Sequence, residues 1–208
     1  MFGCSKILIR RFRKEYGINS LEKRDRINIK YPAILTEEQK SVLFGSLLGD
    51  GGLTRSVSNT ARYFETHCLT QKDYLRWKQS VFLPFSGKIT SSDKLLEDGR
   101  IAYGNTFRTC FHSVFYPYWE MFYLTGKKRL PSCFEEKINP LALATWYMDD
   151  GHLSDRNKDG VPNISCGFPE EDLSRIEKYF NFLGFDVEVK TYSDISIIWI
   201  NNKIKFFI

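Results

Sequence analysis

The chain has 208 residues, of which 42% are hydrophobic and 15% aromatic, enough for one or two domains with a buried core. This composition argues against disorder, and no apolar run reaches the ~20 residues that a membrane-spanning helix needs. The net charge is +5, but residues 1–30 hold nine Lys/Arg and three Asp/Glu, which leaves residues 31–208 at −1. A uniformly basic nucleic-acid coat is therefore excluded. Residues 1–35 are expected to form a basic arm that contacts phosphates, a solvated tail being the alternative.

The cysteines indicate the redox compartment. They are odd in number, scattered and never in C-x-x-C spacing: Cys4, Cys68, Cys110, Cys133 and Cys166. That pattern argues against a disulfide framework or a zinc site and indicates reduced thiols inside a cell. The N-terminus also lacks the apolar segment and small-residue cleavage site of a secretory signal.

The first predicted helix begins at Thr36, and Gln39 three residues later completes a capping-box pattern. Its apolar run ends in the nonapeptide LFGSLLGDG, residues 43–51, in which Asp50 precedes the last glycine. The pattern predicts an apolar helix that ends at Asp-Gly.

A second predicted helix repeats this arrangement. Asn139 is a suitable N-cap and Pro140 a suitable first helical residue. The helix ends in LATWYMDDG, residues 143–151, so Asp150 holds the position that Asp50 holds in the first copy. The chain therefore contains an internal repeat.

Similar elements are predicted after each copy. After the first come a strand over 62–70, a helix over 71–82, strands over 87–93 and 99–108, and a helix over 112–123. After the second come a strand over 163–168, a helix over 170–184, and strands over 185–192 and 196–202. Only 58 residues follow Asp150, so the second α+β unit is expected to be shortened at its C-terminus.

The repeat predicts two motif helices packed side by side about a pseudo-twofold axis. Gly45 and Gly49, four residues apart, would allow a close approach and bring Asp50 and Asp150 to the same end. Neighbouring carboxylates repel each other unless a cation lies between them, and oxygen ligands suit Mg²⁺. Such a site suits phosphodiester cleavage. The alternative is that both aspartates simply end helices before glycine.

The two nonapeptides together resemble the paired motifs of the LAGLIDADG homing endonucleases, in the monomeric two-motif form. The likeness extends through KKRLPSCFEEKINPLALATWYMDDG, residues 127–151, and covers the chain from about residue 36. It implies an α+β fold of two αββαββα units, the first over 36–138 and the second over 139–208, with the last helix of the second unit lacking. The second motif departs from the pattern at Thr145 and Asp149.

The resemblance implies an intron-encoded, site-specific DNA endonuclease that uses Mg²⁺ (or Mn²⁺). Asp50 and Asp150 would be the catalytic acids and metal ligands, Lys128 the basic residue near the metals that helps to activate water or to stabilise charge, and Asp149 a bystander or a supporting residue. A second-half counterpart of Lys128 would lie beyond Ile208. Double-strand cleavage by a monomer is expected, with nicking as the alternative.

The expected partner is double-stranded DNA. Arg62, Thr66 and Thr70 are predicted as a polar row on one strand, and Arg100, Asn105 and Arg108 as a row on another, suited to base edges. The full predicted contact set is Arg62, Thr66, Thr70, Lys72, Lys88, Arg100, Asn105, Arg108, Lys127, Arg156, Lys158 and Lys190.

Three other functions are weighed against the nuclease. An intron RNA maturase, with host intron RNA as partner, or a cleavage-deficient DNA-binding relative would keep the same fold. Retention of both aspartates and Lys128 favours the nuclease.

The tetrad Tyr147–Asp150 is shared with reverse transcriptases. Here it ends a helix that begins at a proline and has a second copy in the chain, which disfavours a polymerase. The three histidines are too dispersed for a zinc centre. The host compartment would be the bacterial cytoplasm or an organelle.

Overall fold

The computed structural model describes residues 31–57, 59–91, 93–95, 99–154, 160–192 and 195–201. Residues 1–30 of the arm predicted over 1–35, and the predicted DNA contacts Arg156 and Lys158, lie outside these residues. Within them, no helix has the length and apolar character needed to cross a membrane.

The first half begins with the predicted helix. Its elements are α1 (Glu37–Leu48), β1 (Gly52–Arg55), β2 (Ala61–Cys68), α2 (Lys72–Val81), β3 (Thr90–Ser91), β4 (Lys94–Leu95), β5 (Ile101–Ala102), β6 (Gly104–Arg108) and α3 (Tyr116–Tyr123). The capping box at the start of α1 is confirmed, because the Thr36 hydroxyl accepts from Gln39 N and Gln39 Oε1 accepts from Thr36 N.

The second half repeats that order. After the short α4 (Phe134–Lys137) come α5 (Pro140–Asp150), β7 (Gly151–Ser154), β8 (Val161–Cys166), α6 (Glu170–Phe182), β9 (Val187–Tyr192) and β10 (Ile195–Ile200). Asn139 caps α5 through a bond from Ala142 N, as predicted. Gly184, at φ 88°, takes the left-handed conformation just after α6, which favours glycine.

Each half contributes one four-stranded antiparallel sheet, in the order β1-β2-β6-β3 and β7-β8-β10-β9. This is the predicted α+β fold with its repeated αββαββ order. The periodicity analysis missed β1 and β7, because each has only four residues and follows directly on a motif glycine. Two alternations are too few for a period-2 signal.

The motif helices α1 and α5 run side by side and in parallel. Asn139 Nδ2 donates to Ser41 Oγ at 2.8 Å near their starts. A Cβ added at Gly45 would lie 2.2 Å from Ala142 O, and one at Gly49 would lie 2.6 Å from Asp149 Cβ. The two glycines therefore permit the close approach that their spacing predicts.

The sheet register corrects part of the predicted DNA-contact set. Asn105 pairs with His67 on β2, and both are buried on the face that meets α2, so Asn105 does not share an exposed row with Arg108. The alternation along β6 turns Asn105 inward with Phe107. Thr70 lies in a 3-10 turn after β2, and Arg100 precedes β5 rather than lying on β6, so neither belongs to the predicted strand rows.

Candidate active site

The two motif helices end in one carboxylate each, at the same end of the pair. Asp50 follows Gly49, the cap of α1, and Asp150 is the last residue of α5. Burial and the negative charges of Asp50 and Asp149 raise the pKa of Asp150 to about 7. Burial also raises the pKa of Asp50, although the charge of His67 opposes it. A partly buried carboxylate whose pKa is raised by neighbouring carboxylates is typical of a site that accepts a cation.

Lys128 reaches this end of the helix pair from the loop after α3. Its ammonium donates to the backbone carbonyls of Gly49, at 2.7 Å, and Gly51, at 3.2 Å. Burial lowers the pKa of Lys128, while the charges of Asp150 and Asp50 oppose that shift. Since an ammonium has three donors, one N–H stays available for an acceptor at the helix ends.

The loop that carries Lys128 is tied to the second half. Arg129 Nε donates to Asp172 Oδ2 at 2.8 Å, and Leu130 N donates to the same oxygen at 3.0 Å. Arg129 also pairs with Glu171 at 2.6 Å. These contacts with the first turn of α6 hold Lys128 between the halves.

A cleft of about 330 Å³ opens beside Asp150. Its lining comes from the ends of α1 and α5, the Lys128 loop, the end of β8 with the residues after it, and the start of β10: Leu48, Gly49, Lys128, Asp150, Ser165, Cys166, Gly167, Phe168 and Ile195. The lysine and the second acid therefore share one solvent-accessible surface.

The donors at the helix ends fit a hard divalent cation. Asp50 and Asp150 offer carboxylate oxygens, and burial raises the pKa of both, with the charge of Asp50 adding to the shift of Asp150. A second group of ligand atoms, from Asp50, His67 and Asp149, lies within 4.8 Å in the described part of the chain. Within it, Asp149 Oδ1 and the His67 ring are already bound by other side chains. Of the acids that end the two motif helices, Asp50 and Asp150 could hold the ion.

Asp149 belongs to a cluster that we call the buried network: Glu65, His67, Lys78 and Asp149. Lys78 donates to Glu65 and, at 2.6 Å, to Asp149 Oδ1. Burial raises the pKa of Glu65, but Lys78 and His67 outweigh burial and lower that pKa overall. Burial and Glu65 raise the pKa of Asp149 to about 6.

Two tyrosines complete the hydrogen bonds of the buried network. The Tyr63 hydroxyl donates to Glu65, and the Tyr74 hydroxyl donates to Asp149 Oδ1 at 2.7 Å. Asp149 thus reaches from the second motif into the core of the first half. Its Oδ1 is bound there by Tyr74 and Lys78.

His67 connects the buried network to the first acid. Its Nε2 lies 2.7 Å from Glu65 Oε1, and its Nδ1 lies 3.6 Å from Asp50 Oδ2. His67, Glu65 and Lys78 are not among the site residues that the sequence predicts. A signal was present for two of them, because the alternation in β2 places Glu65 and His67 on the same face as Tyr63.

The described members of the predicted DNA-contact set, Asn105 excepted, lie at the surface. Arg62 is half-buried, with its guanidinium 4.8 Å from the centre of the Phe111 ring. Lys190 pairs with Glu188 at 3.0 Å on the second sheet. The exposed members are Thr66, Thr70, Lys72, Lys88, Arg100, Arg108, Lys127 and Lys190.

Comparison with known proteins agrees with this geometry. Residues 40–204 match the LAGLIDADG DNA endonuclease family. DNA endonuclease I-ChuI of Chlamydomonas applanata is 32% identical over 156 residues, covering 69% of this chain and 72% of the relative. Protein RecA of Mycolicibacterium flavescens is 36% identical over 152 residues, and the match spans 69% of this chain but about a third of that relative, 32%.

Two further comparisons concern the fold and a second type of relative. The structure of the homing endonuclease I-WcaI bound to its DNA recognition sequence superposes with a TM-score of 0.75 at 21% identity, covering 90% of this chain and 86% of that one. The cytochrome b mRNA maturase bI2 of Debaryomyces hansenii is 29% identical over 136 residues, covering 63% of this chain and 51% of the relative. The twin motifs, the repeated fold and these matches show that the chain belongs to the LAGLIDADG DNA endonuclease family.

Proposed function

We propose that the chain is a site-specific DNA endonuclease that hydrolyses phosphodiester bonds in a long duplex target and requires a divalent metal ion. The observation that carries the proposal is the convergence of Asp50, Asp150 and Lys128 at one end of the parallel motif helices. A protein that only bound DNA would gain nothing from a pair of carboxylates facing phosphates, because the like charges repel.

Asp50 and Asp150 would hold Mg²⁺ or Mn²⁺. When bound, such an ion supplies an activated water and stabilises the charge on the leaving oxygen. Lys128 donates its remaining N–H to a phosphate oxygen and offsets the charge that develops there. Its two bonds to backbone carbonyls fix the direction of that donor. Double-strand cleavage is the expected outcome, and nicking is the alternative.

The outer face of the first sheet is suited to base edges. Arg62, Thr66 and Arg108 lie on this face of β2 and β6, opposite the buried face that holds Tyr63, Glu65, His67 and Phe107. Arginine is matched to guanine in the major groove, and threonine to several bases. The exposed Thr70, Lys72, Lys88, Arg100, Lys127 and Lys190 are assigned to phosphate contacts, which fix orientation rather than sequence.

The proposal is tested with a library of randomised duplexes and purified protein, with Mg²⁺, with Mn²⁺ or with a chelator. Cut ends are captured and sequenced. The expected result is a single enriched target that is cut in either metal and left intact in chelator. A library that stays uncut, or that is cut without sequence preference, contradicts site-specific endonuclease activity.

The alternative is an intron RNA maturase or a cleavage-deficient DNA-binding relative, and the likeness to a cytochrome b mRNA maturase supports keeping it. Filter binding separates the two functions. A maturase binds structured intron RNA more tightly than duplex DNA, whereas the nuclease binds the selected duplex more tightly.

We further propose that the chain acts as a monomer inside the cell. Both acids and both sheets come from one chain, so a second copy is not needed to assemble the site. The described cysteines Cys68, Cys110, Cys133 and Cys166 are free thiols, which suits a reducing compartment. Sedimentation of the protein with its selected duplex tests the stoichiometry.

A further inference from the structure

The two halves share one fold but differ in the buried side chains that lie behind Asp50 and behind Asp150. The residue two positions after each acid fixes the correspondence between the sheets: Gly52 pairs with Phe64 on β2, and His152 pairs with Asn163 on β8. Counting inward from those pairs, Glu65 corresponds to Ile164 and His67 to Cys166.

The helices behind the sheets follow the same correspondence. In α2 the buried positions are Leu75 and Lys78, and in α6 Leu173 and Ile176 have the same three-residue spacing. Lys78 therefore corresponds to Ile176. In the motifs, Asp149 corresponds to Gly49, whose lack of a side chain makes room for Asp149.

Every member of the buried network therefore has an uncharged counterpart in the other half. The pairs are Glu65 with Ile164, His67 with Cys166, Lys78 with Ile176, and Asp149 with Gly49. The first half has a polar scaffold behind Asp50. Behind Asp150 the corresponding positions are apolar, and the cleft beside that acid is lined by Cys166.

His67 is the member of the buried network that lies next to the first acid, Asp50. Its side chain is 1% exposed and lies between Glu65 at 2.7 Å and Asp50 at 3.6 Å. The Tyr74 ring packs edge-on against it, with ring centroids 5.2 Å apart. Glu65 is in turn held by Lys78 and Tyr63. The His67 Nδ1 atom also lies 3.2 Å from Gln71 Oε1. The imidazole is thus restrained on several sides, and it faces the Asp50 carboxylate from a fixed direction.

We propose that His67 is a positioning residue for the strand cut made at Asp50, and that the buried network makes the two strand cuts chemically unequal. This inference rests on the proposed endonuclease function. It predicts that one cut depends on an imidazole held by Glu65, while the other cut does not.

The test uses the full chain and its selected duplex, with a different 5′ label on each strand, in Mg²⁺. His67→Cys installs the residue that the second half has at this position, and His67→Gln keeps a polar group able to bond Glu65 and Asp50. His112→Cys and His112→Gln are the matched controls. His112 is a buried histidine at the far end of β2, where it bridges Ala61, about 20 Å along the strand from His67.

The expected result is that His67→Cys slows one strand at least about tenfold and leaves the other within about twofold, so that nicked duplex accumulates. His67→Gln should recover much of the lost rate. The His112 variants should cut both strands like the wild type. Duplex binding measured in Ca²⁺ should stay unchanged in the His67 variants.

Three results would overturn the inference: His67→Cys slows both strands equally, it slows neither strand, or His67→Gln recovers none of the lost rate. In each case, cutting of the duplex by the wild type would still support the proposed endonuclease function. A wild-type protein that leaves the library uncut would instead remove the proposed function and the inference with it.

Discussion

At the residue scale, the proton affinity of Asp150 has a consequence for stability. Burial, Asp50 and Asp149 raise the pKa of Asp150 from 3.8 to about 7. Between those values the folded protein holds a proton that the unfolded chain releases, so the stability of the metal-free protein falls as pH rises through this window.

We therefore expect the urea midpoint in chelator to be lower at about pH 8 than at about pH 5, and expect Asp150→Asn to reduce that difference. Asp149, with a pKa of about 6, contributes with the same sign and leaves part of the difference in place. Asp73→Asn, an exposed aspartate on α2, is the control. An unchanged pH dependence in Asp150→Asn would contradict the assigned proton affinity.

The buried network makes a second prediction at this scale. Lys78→Ile leaves Glu65 and Asp149 as buried acids without their cation, a change that typically costs about 3–5 kcal/mol. The double variant Glu65→Ile/Lys78→Ile has the apolar pair that the second half uses, so it should unfold at higher urea than Lys78→Ile. A double variant less stable than the single one would show that the network is held together by other contacts.

At the element scale, the contact between the motif helices depends on Gly45. A methyl group there would lie 2.2 Å from Ala142 O, which is backbone and cannot rotate away. Gly45→Ala should therefore push α1 and α5 apart and lower the free energy of unfolding by about 1–3 kcal/mol. Gly167→Ala is the control, because a Cβ there meets nothing within 4 Å. Equal urea midpoints for the two variants would contradict the close helix contact.

Local rules explain which elements could be predicted. The caps at Thr36 and Asn139, the repeated motif and the stop at Gly184 depend on neighbours a few residues away, and all are observed. The short β1 and β7 form because they pair with β2 and β8. Four residues show too little alternation of polar and apolar side chains to predict a strand.

Only the part of the site that belongs to the repeated motif could be predicted from the sequence pattern. Asp50 and Asp150 were found as twins in the sequence, and Lys128 through a family resemblance. The bond from Lys78 to Asp149 joins residues 71 positions apart, and no local pattern signals it. Asn105 was misplaced because the phase of β6 is set by its register with β2.

At the scale of the whole molecule, charge is concentrated in one segment. Residues 1–30, which lie outside the described residues, hold nine Lys/Arg against three Asp/Glu, while residues 31–208 sum to −1. Deleting residues 1–30 should weaken duplex binding and flatten its salt dependence, since each lost phosphate contact removes about 0.9 from the slope of log K against log salt. Fluorescence anisotropy across a salt series measures that slope. An unchanged slope would argue for a solvated tail.

The central claim is that Asp50 and Asp150 form the metal-dependent site at the ends of the motif helices, with each acid needed for one of the two strand cuts. The most direct measurement compares cutting and binding of the selected duplex by wild type, Asp50→Asn and Asp150→Asn, with Asp73→Asn as control. Each motif variant should bind the duplex in Ca²⁺ as the wild type does and should lose double-strand cutting in Mg²⁺ by at least about a thousandfold, because each acid is a metal ligand on which one of the two strand cuts depends. Wild-type cutting rates in either motif variant would contradict the account.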